Sequence, residues 1–191
     1  MDEKEILELF KETNAFLKGH FLLSSGLHSS GYLQCALLLQ NPRIAESLCT
    51  ALASKFRKEK PSIVVAPALG GIIVSHEVAR SLGIKGIFTE RKEGKMCLRR
   101  GFSLGKNDRV LIVEDVITTG SSTKEVMEVV TSHGSEIIGI GSIVDRSNGK
   151  APIGVNYKSL IKINIPIFNP TGCPLCKKKI PLVKPGSRKI K

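Results

Sequence analysis

Short β-branched runs alternate along most of this chain with stretches of helical spacing. The first forty residues have a different character. Asp2 and Glu5 stand at capping-box spacing, and Ile6, Leu9, Phe10, Phe16 and Leu17 supply one apolar face. That pattern predicts a helix from residue 2 to about residue 18. Residues 19–32, G-H-F-L-L-S-S-G-L-H-S-S-G-Y, form two strand-like pieces around Ser24-Ser25-Gly26, a hairpin signal. Asn41-Pro42 offers an N-cap and a proline at the first helical position, and Ile44, Leu48, Leu52 and Phe56 carry a helix to about residue 58.

From there the pattern predicts strands over 62–66, 86–89, 110–113, 136–144 and 157–163, with helices over 71–82 and 122–133. The implied class is α/β, a central, mainly parallel sheet flanked by helices on both faces. Such sheets bind ligands at the C-terminal ends of their strands, near a switch in strand order. Residues 1–40 are expected to form an N-terminal helix and hairpin, 41–168 the core, and 169–191 a basic tail with little regular signal, all within one domain. No internal repeat interrupts this plan.

Composition narrows the partners. The 191 residues are 41% hydrophobic and 24% charged, ordinary values for a globular protein. No apolar run is long enough to span a bilayer and the start, M-D-E-K-E, is acidic, so the expected location is the cytoplasm. The net charge of +12 points to anionic partners. It is concentrated in residues 91–100, with five Lys/Arg against one Glu, and in residues 173–191, with seven Lys/Arg and no acid. The tail lacks the aromatic interleaving that stacks bases, so nucleic acid is not the expected partner.

Five scattered cysteines argue against a disulfide framework. Cys173 and Cys176, in C-P-L-C, alone have metal-like spacing. A zinc site needs about four ligands. The four histidines, at 20, 28, 76 and 133, show no paired spacing, so no metal-ligating set is assigned.

The chemistry gathers around residues 110–122, V-L-I-V-E-D-V-I-T-T-G-S-S. Glu114 and Asp115 follow the apolar run where that strand is expected to end. Thr118, Thr119, Gly120, Ser121 and Ser122 then form a small polar turn before a helix. Free backbone N–H groups and the positive end of the helix dipole favour a phosphate there. Acids beside a phosphate site suit hydroxyls or a metal ion, hence a phosphorylated sugar. Two further segments lie at strand ends. Pro67-Ala68-Leu69-Gly70-Gly71 allows close approach of backbone to a diphosphate. Arg146 is placed to grip a carboxylate bidentately. The basic segment 90–101, E-R-K-E-G-K-M-C-L-R-R-G, reads as a mobile loop or hairpin whose cations could neutralise a departing diphosphate.

These motifs, in this order, resemble the type I phosphoribosyltransferases, and their spacing from about Gly19 to Asn148 is similar to the orotate phosphoribosyltransferase family. The ending, C-P-L-C-K-K-K-I-P-L-V-K-P-G-S-R, resembles the tail of some members. The resemblance implies the type I phosphoribosyltransferase fold with a small N-terminal hood over the base. The implied reaction joins orotate to 5-phosphoribosyl diphosphate (PRPP), giving orotidine 5′-monophosphate and diphosphate on the route to UMP. Mg²⁺ is implied as cofactor, held mostly by substrate oxygens, and a homodimer as the assembly. Carried over by residue, Glu114 and Asp115 bind the ribose hydroxyls. Val116, Ile117 and Thr118–Ser122 complete the PRPP motif, with Thr118 to Ser122 around the 5′-phosphate. Arg91, Lys92 and Lys95 contact the diphosphate, partly in the neighbouring subunit, and Lys95, Asp115 and Glu114 are the residues assigned to catalysis. Thr118 and Arg146 hold the orotate carboxylate.

Three positions depart from the family pattern. Ser24 and Gly70 stand where many members have lysine, and Cys97 where histidine is frequent. Two other readings remain at this stage, a phosphoribosyltransferase for another base and a PRPP-sensing regulator that binds nucleic acid.

Overall fold

In the computed structural model, which describes residues 1–23, 25–147, 149, 151, 153–154 and 156–185, the chain opens with the expected capping box. The Asp2 carboxylate accepts from the Glu5 N–H at 2.8 Å, and the Glu5 carboxylate accepts from the Asp2 N–H at 2.7 Å. Helix α1 (Glu3–Glu12) is nevertheless shorter than the apolar pattern predicts. Thr13 Oγ1 donates to the Leu9 carbonyl at 2.6 Å and Asn14 turns left-handed at φ 50°, which ends the helix. Phe16 and Leu17 belong instead to β1 (Phe16–Leu22), where they pair with Leu33 and Tyr32 of β2 (His28–Leu33). Apolar residues at helical spacing were here serving a strand, because cross-strand pairing outweighs local periodicity.

A short helix α2 (Cys35–Leu39) precedes α3 (Pro42–Ser54), whose Asn41 cap accepts from the Arg43 N–H at 3.1 Å. Then come β3 (Ile63–Pro67), α4 (Gly71–Leu82), β4 (Lys85–Lys92), β5 (Lys95–Leu98), β6 (Arg109–Ile117), α5 (Ser121–Ser132), β7 (Glu136–Asp145) and β8 (Tyr157–Lys162). The main sheet has the order β5-β4-β3-β6-β7-β8. Its pairs are parallel except β4 with β5. The chain leaves β3 toward β4 on one side and returns through β6 to build the other side. The strand order therefore reverses between β3 and β6, the place where such a sheet opens a crevice.

Both faces of the sheet are covered. Leu111 and Val113 of β6 pack with Val74 and Val78 of α4 and with Leu48 and Leu52 of α3. Val110 and Ile112 face the other way, against Val126 and Val130 of α5. Alternation along a strand thus sends successive residues of one central strand into two cores.

The tail, weak in sequence signal, adds short elements of its own. Beyond β8 the chain forms β9 (Ile167–Phe168), α6 (Pro174–Lys177) and β10 (Leu182–Val183). These strands flank the N-terminal hairpin in a second sheet of order β10-β1-β2-β9. Two-residue strands carry almost no periodic signal, which is why the sequence pattern did not show them.

Candidate active site

Strand β6 runs four residues further than its β-branched portion predicts, so Glu114 and Asp115 lie inside the strand rather than after it. The period of two then separates them. Glu114 is buried on the α5 side, where Thr123 Oγ1 donates to its carboxylate at 3.4 Å. Asp115 turns to the α4 side and meets the turn after β3. A Cβ placed on Gly70 would fall 2.6 Å from Asp115 Oδ2, closer than atoms can approach. Glycine at this position leaves that space to the carboxylate in its present orientation. Burial there pushes the Asp115 carboxyl above its ordinary range, partly offset by hydrogen bonds from the Val116 and Asp115 backbone.

After Ile117 the chain turns through Thr118 and Thr119, both exposed, to Gly120. Gly120 has φ 74°, a left-handed conformation that admits glycine without strain. It forms the N-cap of α5 without a side-chain cap, and the first turn of that helix carries no acid. Thr119 Oγ1 and Ser121 Oγ lie 2.9 Å apart, and the Ser121 N–H donates to Thr119 Oγ1 at 3.4 Å. A helix of twelve residues therefore begins with small hydroxyl side chains around its positive end.

Arg146 is brought to the same rim by register. Ile117 pairs with Asp145, and the Arg146 N–H donates to the Ile117 carbonyl at 2.8 Å, which sets Thr118 and Arg146 at adjoining strand ends. Asp145 does not bind this arginine in an ion pair; its carboxylate accepts from the Ser147 N–H at 2.7 Å. The Arg146 guanidinium is half-buried near Tyr32 and Cys35, and burial pulls its pKa below the usual arginine value. Its Nε is buried and has no hydrogen-bond partner among the described residues. An unsatisfied buried cationic donor costs stability unless a ligand completes it.

A recess of about 320 Å³ opens between the hood and the β3–α4 turn, lined by Tyr32 and Gln34, Leu69 and Gly70, Asp115 and Pro185; Arg146 and Thr118 do not line it, and Tyr32 is the wall residue near the guanidinium. The size of the recess suits a small planar ligand. The Ala68–Leu69 peptide in its wall is cis. Tyr32 lies in the stretch expected to form a hood, whereas Gln34, Cys35 and Pro185 were not singled out. Pro185 sits at the end of a tail seventy residues after Asp115, and no local pattern announces such a neighbour. Ser24, one of the departing positions, lies outside the described residues, as does Asn148.

The basic segment is an ordered hairpin. Lys92 faces Lys95 across a two-residue turn in which Glu93 and Gly94 both have positive φ, 52° and 83°. Arg91 is engaged on α5: its two terminal nitrogens meet the Glu125 carboxylate at 2.6 and 2.7 Å. Arg99 and Arg100 both bind Glu90, at 3.4 and 3.1 Å. Lys92 and Lys95 are exposed. None of the hairpin residues lines the recess. Cys97, at the family's histidine position, donates its thiol to the Glu90 carbonyl at 3.5 Å.

Known proteins share this arrangement. A model of the phosphoribosyl transferase domain matches residues 36–175. The orotate phosphoribosyltransferase of Desulforamulus reducens is 53% identical over 190 residues, covering 100% of both chains. That of Caldanaerobacter subterraneus is 52% identical over 190 residues, again with 100% of both chains covered. Among solved structures, the orotate phosphoribosyltransferase of Aeropyrum pernix superposes with a TM-score of 0.65 at 28% identity, covering 81% of this chain and 92% of that one. Full-length similarity of this degree, together with a type I sheet whose switch point carries the acidic pair, leads to one conclusion: the chain belongs to the orotate phosphoribosyltransferases, a pentosyltransferase family.

Proposed function

We propose that this family member uses its strand-end recess to join orotate to the 5-phosphoribosyl group of PRPP, releasing orotidine 5′-monophosphate and diphosphate. The observation that carries the reading is Arg146. A half-buried guanidinium with an unpartnered Nε, near Tyr32 of the recess wall and at a strand end adjoining Thr118, matches a planar carboxylate better than a neutral base.

In this reading Glu114 and Asp115 accept from the ribose hydroxyls, and Thr118, Thr119, Gly120, Ser121 and Ser122 hold the 5′-phosphate on the α5 N-terminus. Val116 and Ile117 are the strand backbone that leads into that cradle. Thr118 and Arg146 orient the orotate carboxylate, so that the ring nitrogen faces the anomeric carbon. A carbon–nitrogen bond forms there as the carbon–oxygen bond to diphosphate breaks, its electron pair leaving with the diphosphate, and the ring nitrogen gives up its proton to a diphosphate oxygen or to solvent. Holding both partners in line and excluding water beneath the hood supplies most of the acceleration, without a covalent nucleophile.

Mg²⁺ fits this donor set. Asp115 offers hard oxygen ligands, and among the described residues no lysine or arginine pairs with its half-buried carboxylate. Asp115 would help hold the ion beside the substrate's own oxygens, and when bound it would supply positive charge toward the leaving diphosphate. Lys92 and Lys95 add mobile cations, and Arg91 joins them once it releases Glu125. Because the hairpin lies on the flank of α5 and not over its own recess, the proposal includes a homodimer in which it serves the neighbouring site. Among the described residues no helix is long and apolar enough to cross a membrane; the place of action we propose is the cytoplasm, as for the family's reaction.

Loss of orotate absorbance with PRPP and Mg²⁺, with uracil, hypoxanthine and adenine as controls, tests the reading. Turnover of orotate alone is expected. Turnover of a purine base, or salt-dependent nucleic-acid binding without any turnover, overturns it.

A further inference from the structure

Four side chains outside the recess converge where the hood meets the C-terminal segment. His20 of β1 and His28 of β2 are neighbours across the hairpin; Cys173 caps α6 and Cys176 lies within it. His20 Nε2 is 3.6 Å from Cys173 Sγ and 3.7 Å from Cys176 Sγ. His28 Nδ1 is 3.4 Å from Cys176 Sγ and 2.8 Å from His20 Nε2. All four ligand atoms lie within 4.8 Å of one another. A tetrahedral zinc with Zn–S of about 2.3 Å and Zn–N of about 2.0–2.1 Å spaces its ligand atoms about 3.3–3.8 Å apart. Three of the nitrogen–sulfur separations already match, the two imidazoles need to part by about half an ångström, and the widest-spaced ligand atoms need to close by up to about 1 Å.

A second observation points the same way. His20 Nδ1 lies 2.8 Å from the Ile180 carbonyl oxygen. A carbonyl only accepts, so Nδ1 carries the proton and Nε2 presents its lone pair to the cluster. Fixing a ligating imidazole through its other nitrogen is the usual outer support of a metal site. His20, His28 and Cys173 are 2%, 5% and 1% exposed, while Cys176 is open to solvent and gives an entry path. Two thiolates balance the charge of a divalent ion, and sulfur with imidazole nitrogen selects zinc over the hard Mg²⁺ of the reaction.

We infer that His20, His28, Cys173 and Cys176 form a structural zinc site that clamps the C-terminal segment onto the hood. With all four positions filled by protein, the site has no open position for catalysis. It meets a clear need of the fold. Strand β10 has two residues, Leu182 and Val183, which remain 45% and 51% exposed, and Ile167 of β9 is 49% exposed. Burial on that scale does not hold a strand. Yet Pro185, directly after β10, lines the recess beside Tyr32 and Gln34. A clamp at residues 173 and 176 sets the path of the segment that builds this wall.

The untagged full-length protein, purified under reducing conditions and analysed by elemental mass spectrometry, should carry about one zinc per chain. Replacing the ion with Co²⁺ should give the intense d–d bands and thiolate-to-cobalt charge-transfer absorption of a tetrahedral sulfur–nitrogen site. Cys176→Ser changes an exposed side chain, so its folding is not at issue; its zinc affinity should fall by more than the about 10–100-fold typical of losing an outer partner. Cys97→Ser should keep full stoichiometry. Chelation should lower the melting temperature, and Zn²⁺ but not Mg²⁺ should restore it. Reduced wild-type protein that takes up neither Zn²⁺ nor Co²⁺ overturns the inference and leaves a histidine pair hydrogen-bonded beside two thiols. A Cys173–Cys176 disulfide in protein that binds no zinc after reduction overturns it equally.

Discussion

The two sheets of this protein are stabilised in opposite ways. The six-stranded sheet is made of neighbouring strand–helix units, and its central strand buries Val110, Leu111, Ile112 and Val113 completely. The hood sheet joins residues 16–33 to residues 167–183 through two-residue outer strands in which Ile167, Leu182 and Val183 stay about half exposed. Hydrophobic burial holds the first sheet, whereas the outer strands of the second bury little and rest on hydrogen bonds and, in the inference above, on the clamp of histidines and cysteines. The division matches use. In the proposed function the buried sheet positions the acidic pair and the turn before α5, while the hood supplies Tyr32 and Gln34 to the recess wall. The domain match over residues 36–175 likewise excludes the hood hairpin and the last strand.

Experiments that strain each region separately sharpen the contrast. The largest effect is expected at the rim where the two meet. Arg146→Ala should lower kcat/KM for orotate by about 10⁴-fold, the scale for losing a buried polar partner of the substrate. Steady-state kinetics at fixed PRPP would show it, and a loss below tenfold would remove Arg146 from carboxylate recognition. Next comes the core: Leu111→Ala should cost about 2–5 kcal/mol in urea unfolding, through transfer energy and an unfilled cavity. Lys95→Ala should reduce kcat by about 10²-fold if its ammonium meets the leaving diphosphate, with little change in the unfolding midpoint; near-normal turnover would sink that role.

Asp115→Asn should act in opposite directions on activity and stability. The Asp115 carboxyl has its pKa raised by burial, so the folded state binds its proton more tightly than the unfolded chain. The stability this contributes is complete below the ordinary carboxyl range and is lost as pH rises through the raised value. At neutral pH the asparagine variant should therefore be the more stable protein, by about 0.5–2 kcal/mol, while turning over more slowly. Melting curves at acid and neutral pH would test the sign, since the advantage should vanish in acid. The smallest effect is expected for Leu182→Ala, within about 0.5 kcal/mol. A cost like that of Leu111→Ala would show that burial, after all, secures the hood.

Legibility followed the same boundary. Helix α4 occupies the residues its periodicity predicts, and the strands of the main sheet stand within a few residues of expectation. Their signals are local: β-branched runs, an Asn-Pro cap, glycine at a turn. Strand β6 extends beyond the apolar run because Glu114 is satisfied by Thr123 and Asp115 by the space above Gly70, neither visible in one dimension. The basic segment could be called a hairpin, but not that Glu125 would hold Arg91.

What the sequence determined by itself was the α/β plan, the acidic pair before a phosphate turn, and the order of motifs that marks an orotate phosphoribosyltransferase. Periodicity and turn chemistry act over a few residues and survive in a linear reading. Only the tertiary structure decided which way each carboxylate faces, that Arg146 stands beside Tyr32 with its Nε unpartnered, and that His20 and His28 meet Cys173 and Cys176. The last two depend on side chains more than a hundred residues apart entering one volume, and the first on a strand continuing past its apolar run; chain folding alone decides both.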